Sequence, residues 1–307
     1  MTDLELTCSA ATLSGRASLA AVLTTIRAYS TLLKPKITIL LTAYGVFAAL
    51  LAAGGTVSFA RLGLFALLGF MASGGAATLN HLFERDIDAR MARTRQRPLP
   101  SGRVTPRAAA ILATALLGIS IPAAWLLLGP PVAAWFALGA LVYGGLYTRY
   151  LKPRTPMNIV IGGLAGSCGA LAGWSLADPG LALGGWLLAL IVFLWTPSHF
   201  WGLAIARDAD YRAVGLPMLP QVRGITRTAT AMLGYTVATW IASLMLVPAT
   251  DLGLVYGAGA TLLGVVFTGL CVAFRLRPTA ARGQQVFKFS GLYLLLLLLF
   301  MGIDTVI

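Results

Sequence analysis

Long apolar stretches separated by short polar segments run from Ile37 to the C-terminal end of the chain. Each stretch is close to the roughly 20 residues that an α-helix needs to cross the hydrocarbon core of a bilayer. The pattern therefore predicts an all-α, polytopic membrane protein with nine spans. The predicted spans are Ile37–Ala53, Phe59–Leu82, Ala108–Leu128, Val132–Tyr150, Ile159–Leu176, Leu183–Ala206, Thr228–Val247, Leu252–Phe274 and Phe287–Val306.

The start of the chain differs from the rest because it contains no span-length apolar stretch. We expect residues 1–33 to form a cytoplasmic tail and residues 34–307 to form a single nine-helix domain. A cleaved signal peptide is not expected, since Asp3 and Glu5 stand where such a peptide would carry basic residues before a short apolar core.

Charge sharpens this prediction. Of the 307 residues, 58% are hydrophobic and 11% charged, whereas a soluble domain has about 25% charged residues. The net charge of +13 raises the question of a nucleic-acid partner. However, 22 of the 23 Lys and Arg residues lie before the first span or after the second, fourth, sixth and eighth, and only Arg61 lies elsewhere. This placement follows the positive-inside tendency. It predicts no nucleic-acid partner, a bacterial-type inner or cell membrane, and a cytoplasmic location for these segments.

The first polar cluster follows the second span. Asn80, Glu84 and Asp88 are spaced by four residues, which on a continuing helix places them along one face. Two carboxylates and an amide oxygen are ligands of the kind that Mg²⁺ prefers, usually with waters and substrate phosphates completing the shell. The spacing therefore predicts a magnesium site at the end of this span.

Arginines follow these carboxylates at positions 93, 95 and 97. The planar arginine side chain matches the oxygens of a phosphate group well, so carboxylates and arginines together indicate a diphosphate site. The alternative is a solvated surface loop whose charges neutralise one another.

A second polar cluster follows the sixth span and contains Arg207, Asp208, Asp210 and Tyr211. Both clusters are predicted on the same face of the membrane. Together they predict a central cavity that opens to the cytoplasm. Asp208 or Asp210 could add a metal ligand there, and Arg207 could contact phosphate.

The sequence resembles the UbiA-like intramembrane prenyltransferase superfamily and, within it, the farnesyltransferases that act on protohaem. Seven segments in order carry the resemblance. They are K-P-K-I-T at Lys34, N-H-L-F-E-R-D-I-D from Asn80, M-A-R-T-R-Q-R-P-L-P-S-G from Met91, N-I-V-I-G-G from Asn158, F-L-W-T-P-S-H-F-W from Phe193, G-L-P-M-L-P from Gly215 and F-K-F-S from Phe287.

This resemblance implies a nine-helix bundle around a central cavity. The superfamily's first motif is an asparagine followed by acidic residues one, four and eight positions later. Here His81 replaces the first acid, while Glu84 and Asp88 match. The second motif has two aspartates four apart, and Arg207 and Tyr211 stand at those positions. The number of Mg²⁺ ions therefore stays open, and Arg207 is predicted to contact phosphate directly.

The reaction implied by the resemblance is transfer of farnesyl from farnesyl diphosphate to the vinyl group of protohaem. Addition of water then gives haem O, and diphosphate is released. A downstream enzyme resembling haem A synthase is a possible partner, and membrane lipid surrounds the protein. We predict that the catalytic residues are Asn80, Glu84, Asp88, Arg97 and Arg207, the first three as Mg²⁺ ligands. The predicted substrate-binding residues are Lys34, Arg93, Arg97, Trp195, His199, Asp208 and Tyr211.

His199 is predicted to bind the haem substrate, because imidazole is a common axial ligand of haem iron. It lies on the order of 12 Å deeper than Arg207 at 1.5 Å per helical residue. Trp195, Phe200 and Trp201 could line the same subsite. A hydrogen bond to a neighbouring helix is the alternative role for such a histidine, and packing is the alternative for the aromatic residues.

Two other functions are compatible with nine apolar spans. A related prenyltransferase could use another ring, such as hydroxybenzoate or a chlorophyll precursor. A transporter would instead show inverted internal repeats and charges near the membrane midplane. The charges here concentrate at one face, and no clear repeat is present, so a prenyltransferase is favoured.

Overall fold

The structure, a computed structural model, describes residues 21–54 and 56–305. All regular elements within these residues are helical. They are α1 (21–32), α2 (Pro35–Ala52), α3 (Phe59–Phe83), α4 (Arg85–Arg90), α5 (Pro106–Leu127), α6 (Pro130–Ala140) with a π-helix at Leu141–Leu151, α7 (Asn158–Gly162), α8 (Leu164–Ala177), α9 (Leu183–Ala206), α10 (Asp208–Ala213), α11 (Leu219–Arg223), α12 (Ile225–Ala249), α13 (Leu254–Leu276) and α14 (Ala280–Asp304).

Nine helical segments in the described part of the chain are long and apolar enough to cross a membrane. Seven of them are α2, α3, α5, α9, α12, α13 and α14. The other two are composite, α6 with its π-helix and α7 with α8. The prediction of an all-α protein with nine spans is therefore confirmed. Residues 21–32 of the predicted tail are helical, and residues 1–20 lie outside the described residues.

The predicted boundaries fail most at the last span. The helix α14 begins at Ala280, seven residues before the predicted Phe287, while the predicted end at Val306 lies outside the described residues. Thr279 caps its N-terminus by accepting a hydrogen bond from the backbone N–H of Arg282. The first turns of α14 contain Arg282 and Lys288, so hydropathy marks only the apolar remainder of the helix.

The bundle consists of two groups of helices that meet at the cavity. In the first group α3 packs against α5, and α8 packs against α2 and α6; in the second, α9, α12, α13 and α14 pack together. The helices α2 and α8 approach so closely that a β-carbon at Gly173 would overlap the backbone of Gly45. Small residues allow such approach of helices in lipid.

Residues that connect the helices at one end of the bundle, 84–105, 152–157, 207–224 and 277–279, carry most of the basic side chains, and we call this the basic end. The part of the loop 84–105 that follows α4 folds back over that helix. Leu99 and Val104 from this loop pack with Ala28 and Leu32 of α1 and with Ala109 of α5. The helix α1 therefore supports the loop that holds the arginines.

The π-helix Leu141–Leu151 is unusually long, since such helices mostly occur as single turns and often at functional sites. It brings Tyr143, Tyr147 and Thr148 to the inner wall of the bundle. The two tyrosine rings stack with centroids 5.8 Å apart and an interplanar angle of 8°. The next wall segment is interrupted at Gly163, between α7 and α8.

Candidate active site

A cavity of about 430 Å³ lies between the two helix groups. Its walls come from α2, α3, α6 with its π-helix, α7, α8 and α9, with five residues from the loop 84–105 and one each from α10 and α14. Six charged side chains of the described residues line it; five belong to the basic end, and the sixth, Lys34, immediately precedes α2. They are Lys34, Glu84, Asp88, Arg93, Arg97 and Lys152.

The three predicted oxygen ligands lie together in this cavity. Asn80, Glu84 and Asp88 are 1%, 4% and 2% exposed. The helix does not continue unbroken, because α3 ends at Phe83 and α4 begins at Arg85. The spacing still holds, since the N–H of Glu84 donates to the carbonyl of Asn80 and the N–H of Asp88 donates to that of Glu84. The predicted shared face is therefore preserved across the junction.

Glu84 is paired with Lys152, which lies just beyond the π-helix. The ammonium Nζ donates to Oε1 at 2.5 Å, and the two side chains are 12% and 6% exposed. Burial alone would raise the pKa of Glu84, but the positive charges of Lys152 and Lys34 lower it. Burial would likewise lower the pKa of Lys152, and Glu84 raises it instead. Both partners are therefore held in their charged forms.

Asp88 is paired with Arg97, nine residues later. Nη1 of Arg97 donates to Oδ2 of Asp88 at 2.7 Å. The hydroxyl of Thr94 donates to the carbonyl oxygen of Asp88 at 3.0 Å and ties the loop to α4. Arg93 also lines the cavity. The predicted neighbourhood of carboxylates and arginines is thus present in three dimensions.

Lys34 completes the cluster from the N-terminus of α2. Its backbone lies in the left-handed region with φ 49°, which costs a non-glycine residue on the order of 1–3 kcal/mol. From there Nζ donates to Oδ1 of Asn80 at 2.5 Å and to the hydroxyl of Tyr143 at 2.9 Å. Burial lowers the pKa of Lys34 to about 7, with opposition from Glu84 and reinforcement from Arg97. Asn80 is fixed on its other side by donating from Nδ2 to Thr148 Oγ1.

The charged lining carries excess positive charge. Lys34, Lys152 and the two arginines contribute four positive charges when all are protonated, and the two carboxylates contribute two negative ones. Salt screens partly buried charges less than exposed ones. This end of the cavity is therefore suited to a multiply charged anion such as a diphosphate.

The oxygen atoms of Asn80, Glu84 and Asp88 can bind Mg²⁺ if the substrate supplies further ligands. No group of three or more His, Cys, Asp or Glu side chains in the described residues is arranged to hold a metal ion. Mg²⁺ is commonly held by one or two carboxylates while substrate phosphates and waters supply the other ligands. Glu84, Asp88 and the amide oxygen of Asn80 match that pattern, with the phosphate oxygens coming from the substrate.

Below the charged cluster the cavity becomes apolar. Small residues of α3, including Ala76, Ala72 and Gly69, line the wall down to Phe65, which contacts Phe136 of α6 with ring centroids 5.4 Å apart. From Asn80 to Phe65 the helix spans about 22 Å at 1.5 Å per residue. An extended farnesyl chain of twelve main-chain carbons, with C–C bonds of about 1.5 Å, reaches on the order of 15 Å. The apolar part is deep enough for that chain.

The predicted aromatic subsite lies on the opposite wall. His199 and Trp195 of α9 line the cavity, and their rings stack with centroids 4.3 Å apart. Phe287 of α14 also packs against the imidazole, with ring centroids 4.6 Å apart. Phe200 also lines the cavity, whereas Trp201 is 1% exposed and does not.

The second polar cluster is only partly brought to the cavity. Tyr211 is 2% exposed and lines it, as predicted. Arg207 does not: it is exposed at the end of α9, where φ −125° and ψ 32° depart from helical values. Asp208 also lies outside the cavity lining and is paired with Arg212 and Gln221 at 2.7 and 2.8 Å. The predictions that Arg207 and Asp208 contact the substrate are therefore not supported by their positions.

Several site residues carry no distinctive signal in the sequence. Lys152 has the pattern of a topogenic charge, although it follows a span on the same face as the carboxylates. Tyr143, Tyr147 and Thr148 have the pattern of ordinary span residues because hydropathy carries no sign of a π-helix. Ser290, which contacts His199, is marked only by its place in the F-K-F-S segment.

The fold agrees with that of known proteins. The chain belongs to the UbiA prenyltransferase family, whose sequence model matches residues 39–300. A relative from Cyanothece sp. named protoheme IX farnesyltransferase is 42% identical over 284 residues, which cover 90% of this chain and 86% of the relative. One of the same name from Shewanella amazonensis is 41% identical and covers 91% and 93%.

A solved structure shows the same architecture. The UbiA homolog from Archaeoglobus fulgidus bound to GPP and Mg²⁺ superposes with a TM-score of 0.65 at 16% identity, covering 90% of this chain and 99% of that one. At this identity the likeness establishes the fold alone. The chain is thus an intramembrane protein of the UbiA prenyltransferase family.

Proposed function

We propose that this chain transfers the farnesyl group of farnesyl diphosphate to a vinyl group of protohaem, giving haem O and diphosphate. The observation that carries the proposal is one continuous cavity that joins a partly buried, net positive cluster to a deep apolar region and to a wall bearing His199. Relatives about 40% identical bear the name protoheme IX farnesyltransferase, which supports this choice of acceptor.

The charged cluster receives the diphosphate. Arg93 and Arg97 have the planar donor geometry that phosphate oxygens favour, and Lys34 and Lys152 supply compact positive charges beside them. Asn80, Glu84 and Asp88 would hold Mg²⁺, which adds positive charge at the leaving oxygens when bound. The UbiA homolog bound to GPP and Mg²⁺ supports this part of the proposal. The number of ions is left open.

Loss of diphosphate leaves a delocalised allylic cation, so the protein must stabilise charge on the leaving group and exclude water from the cation. The fixed positive side chains provide the first function in a site of low dielectric constant. The apolar wall from Ala76 to Phe65 provides the second. The vinyl carbon of protohaem attacks the cation, and water then adds to the resulting porphyrin cation with loss of a proton. No covalent intermediate with the enzyme is required.

The direct test is incubation of the purified protein in lipid nanodiscs with haem, farnesyl diphosphate and Mg²⁺, followed by mass spectrometry of the porphyrin. We expect a product with the mass of haem O. Parallel reactions with 4-hydroxybenzoate and with a chlorophyll precursor test the other acceptors. A farnesylated product from one of these, with none from haem, would refute the haem assignment and retain the prenyltransferase.

The orientation in the membrane is part of the proposal. The placement of 22 of 23 basic residues supports a cytoplasmic location for the basic end. Arg95 and Asp251 lie at opposite ends of the bundle. On intact cells, a membrane-impermeant maleimide should label a cysteine introduced at position 251 and should not label one introduced at position 95. The opposite result would show that the basic end faces outward and would refute the proposed orientation. A haem A synthase-like enzyme that uses the product stays a prediction.

A further inference from the structure

Ser290 of α14 is completely buried, and three hydrogen bonds converge on it. Its carbonyl oxygen accepts from Nε1 of Trp195 at 2.7 Å. Its hydroxyl oxygen lies 2.8 Å from the carbonyl oxygen of Phe287 and 2.7 Å from Nδ1 of His199. The residue therefore joins α14 to two cavity-lining side chains of α9.

The hydroxyl has a single hydrogen, and the carbonyl of Phe287 decides where it points. A carbonyl oxygen can only accept, so the contact at 2.8 Å is favourable only if Ser290 donates to it. If the hydrogen pointed at His199 instead, two oxygens would face each other at that distance with no hydrogen between them. Ser290 must therefore accept a hydrogen bond from His199.

This direction fixes the tautomer of the imidazole. Nδ1 of His199 carries the hydrogen, and Nε2 has a free lone pair in the neutral ring. Two neighbouring rings restrict rotation of the imidazole, since Trp195 stacks on it with an interplanar angle of 21° and Phe287 packs against it at 36°. His199 lines the cavity, and Nδ1 accounts for its one hydrogen bond in the described residues.

We propose that Ser290 is a positioning residue that holds His199 with its Nε2 lone pair facing the cavity, where it ligates the iron of the haem substrate. This inference rests on the proposed function and assigns it a residue. Histidines that bind metals commonly donate from their other ring nitrogen, which fixes the tautomer and the ring orientation. Ser290 supplies that acceptor here.

The test measures haem binding without farnesyl diphosphate, by titrating the protein in nanodiscs and recording the absorption spectrum. Ser290→Ala should weaken haem binding about tenfold, the lower end of what loss of such a partner costs metal sites, and should alter the haem spectrum. Ser290→Thr, which keeps the hydroxyl, should retain the parent spectrum. His199→Gly should lose the signature, and added imidazole should restore it.

Ser243→Ala is the matched control. Ser243 is also fully buried and joins two helices, since its hydroxyl lies 2.9 Å from that of Tyr293, but it does not line the cavity. Its loss should lower thermal stability and leave haem affinity and the spectrum unchanged. A folded Ser290→Ala protein with the parent spectrum and affinity would overturn the inference, as would failure of imidazole to change the His199→Gly spectrum. Absence of haem binding by the parent would overturn the proposed function as well.

Discussion

Two loops at the basic end look alike in sequence and differ in structure. Residues 84–105 and 207–224 both follow a long span, and both combine acidic residues with arginines. In the first loop Asp88 pairs with Arg97 inside the cavity at side-chain exposures of 3% and 21%. In the second, Asp208 pairs with Arg212 at exposures of 33% and 57%, outside it. The same residue types line the cavity in one loop and form a surface pair in the other.

The difference arises at the two helix junctions and in the chain that follows them. Glu84 has φ −91° and ψ 1°, and the loop then folds back so that Arg97 reaches α4. Arg207 departs further from helical values, and Arg212 and Gln221, the partners of Asp208, lie outside the cavity lining. A run of acidic and basic residues therefore lines the cavity only where the chain folds back toward it, as it does between Asp88 and Arg97.

The largest contrast is expected in stability. Lys152→Gln leaves the carboxylate of Glu84 buried without its partner, which typically costs 3–5 kcal/mol, on the order of 3 kcal/mol or more here. Arg212→Gln breaks an exposed pair worth about 1 kcal/mol or less. Denaturant titration of both variants in detergent checks the difference. Similar destabilisation by the two would contradict the description of the Glu84–Lys152 pair as buried.

Asp88→Asn and Asp208→Asn compare the two carboxylates in catalysis. Asp88→Asn removes negative charge at the predicted Mg²⁺ site, and activity should fall at least tenfold, equivalent to about 1.4 kcal/mol of transition-state stabilisation. Asp208→Asn should keep activity within about twofold, because its carboxylate faces solvent. Haem O formation under saturating substrate measures both. Near-normal turnover by folded Asp88→Asn would remove Asp88 from the metal site.

Arg97→Lys and Arg212→Lys test the arginines with charge retained. Lysine keeps the positive charge but loses the planar donor pair that meets phosphate oxygens. We expect Arg97→Lys to reduce kcat/KM for farnesyl diphosphate several-fold, and Arg212→Lys to leave it unchanged. If Arg97→Ala also matched the parent, the loop would be only a solvated charged segment.

Arg207→Ala should have the smallest effect, less than about twofold on kcat/KM, since surface substitutions outside a site are usually nearly neutral. The sequence alone predicts a large effect here, because Arg207 occupies a position of the superfamily's second motif. Measurement of kcat/KM for Arg207→Ala therefore decides between the prediction from the structure and the prediction from the sequence. A tenfold loss would mean that Arg207 reaches the substrate during the reaction.

The sequence predicts the fold well because hydropathy over span-length windows measures the property that lipid demands of a helix. Asn80, Glu84 and Asp88 were found because a spacing of four survives the junction at Glu84. Lys152 and Tyr143 were missed because their roles depend on contacts between helices that lie far apart in the chain. Arg207 lies outside the cavity lining because the end of a helix changes the direction of a side chain without changing the sequence pattern.

The excess positive charge of the cavity affects the end of the reaction as well as its start. Lys152, Arg93 and Arg97 contact phosphate oxygens under the proposed mechanism, and inorganic diphosphate presents the same oxygens as the substrate. Interactions that hold both equally do not favour product release. The protein should therefore be inhibited by its own leaving group, competitively with farnesyl diphosphate. Cellular hydrolysis of diphosphate would then sustain turnover by keeping these side chains available.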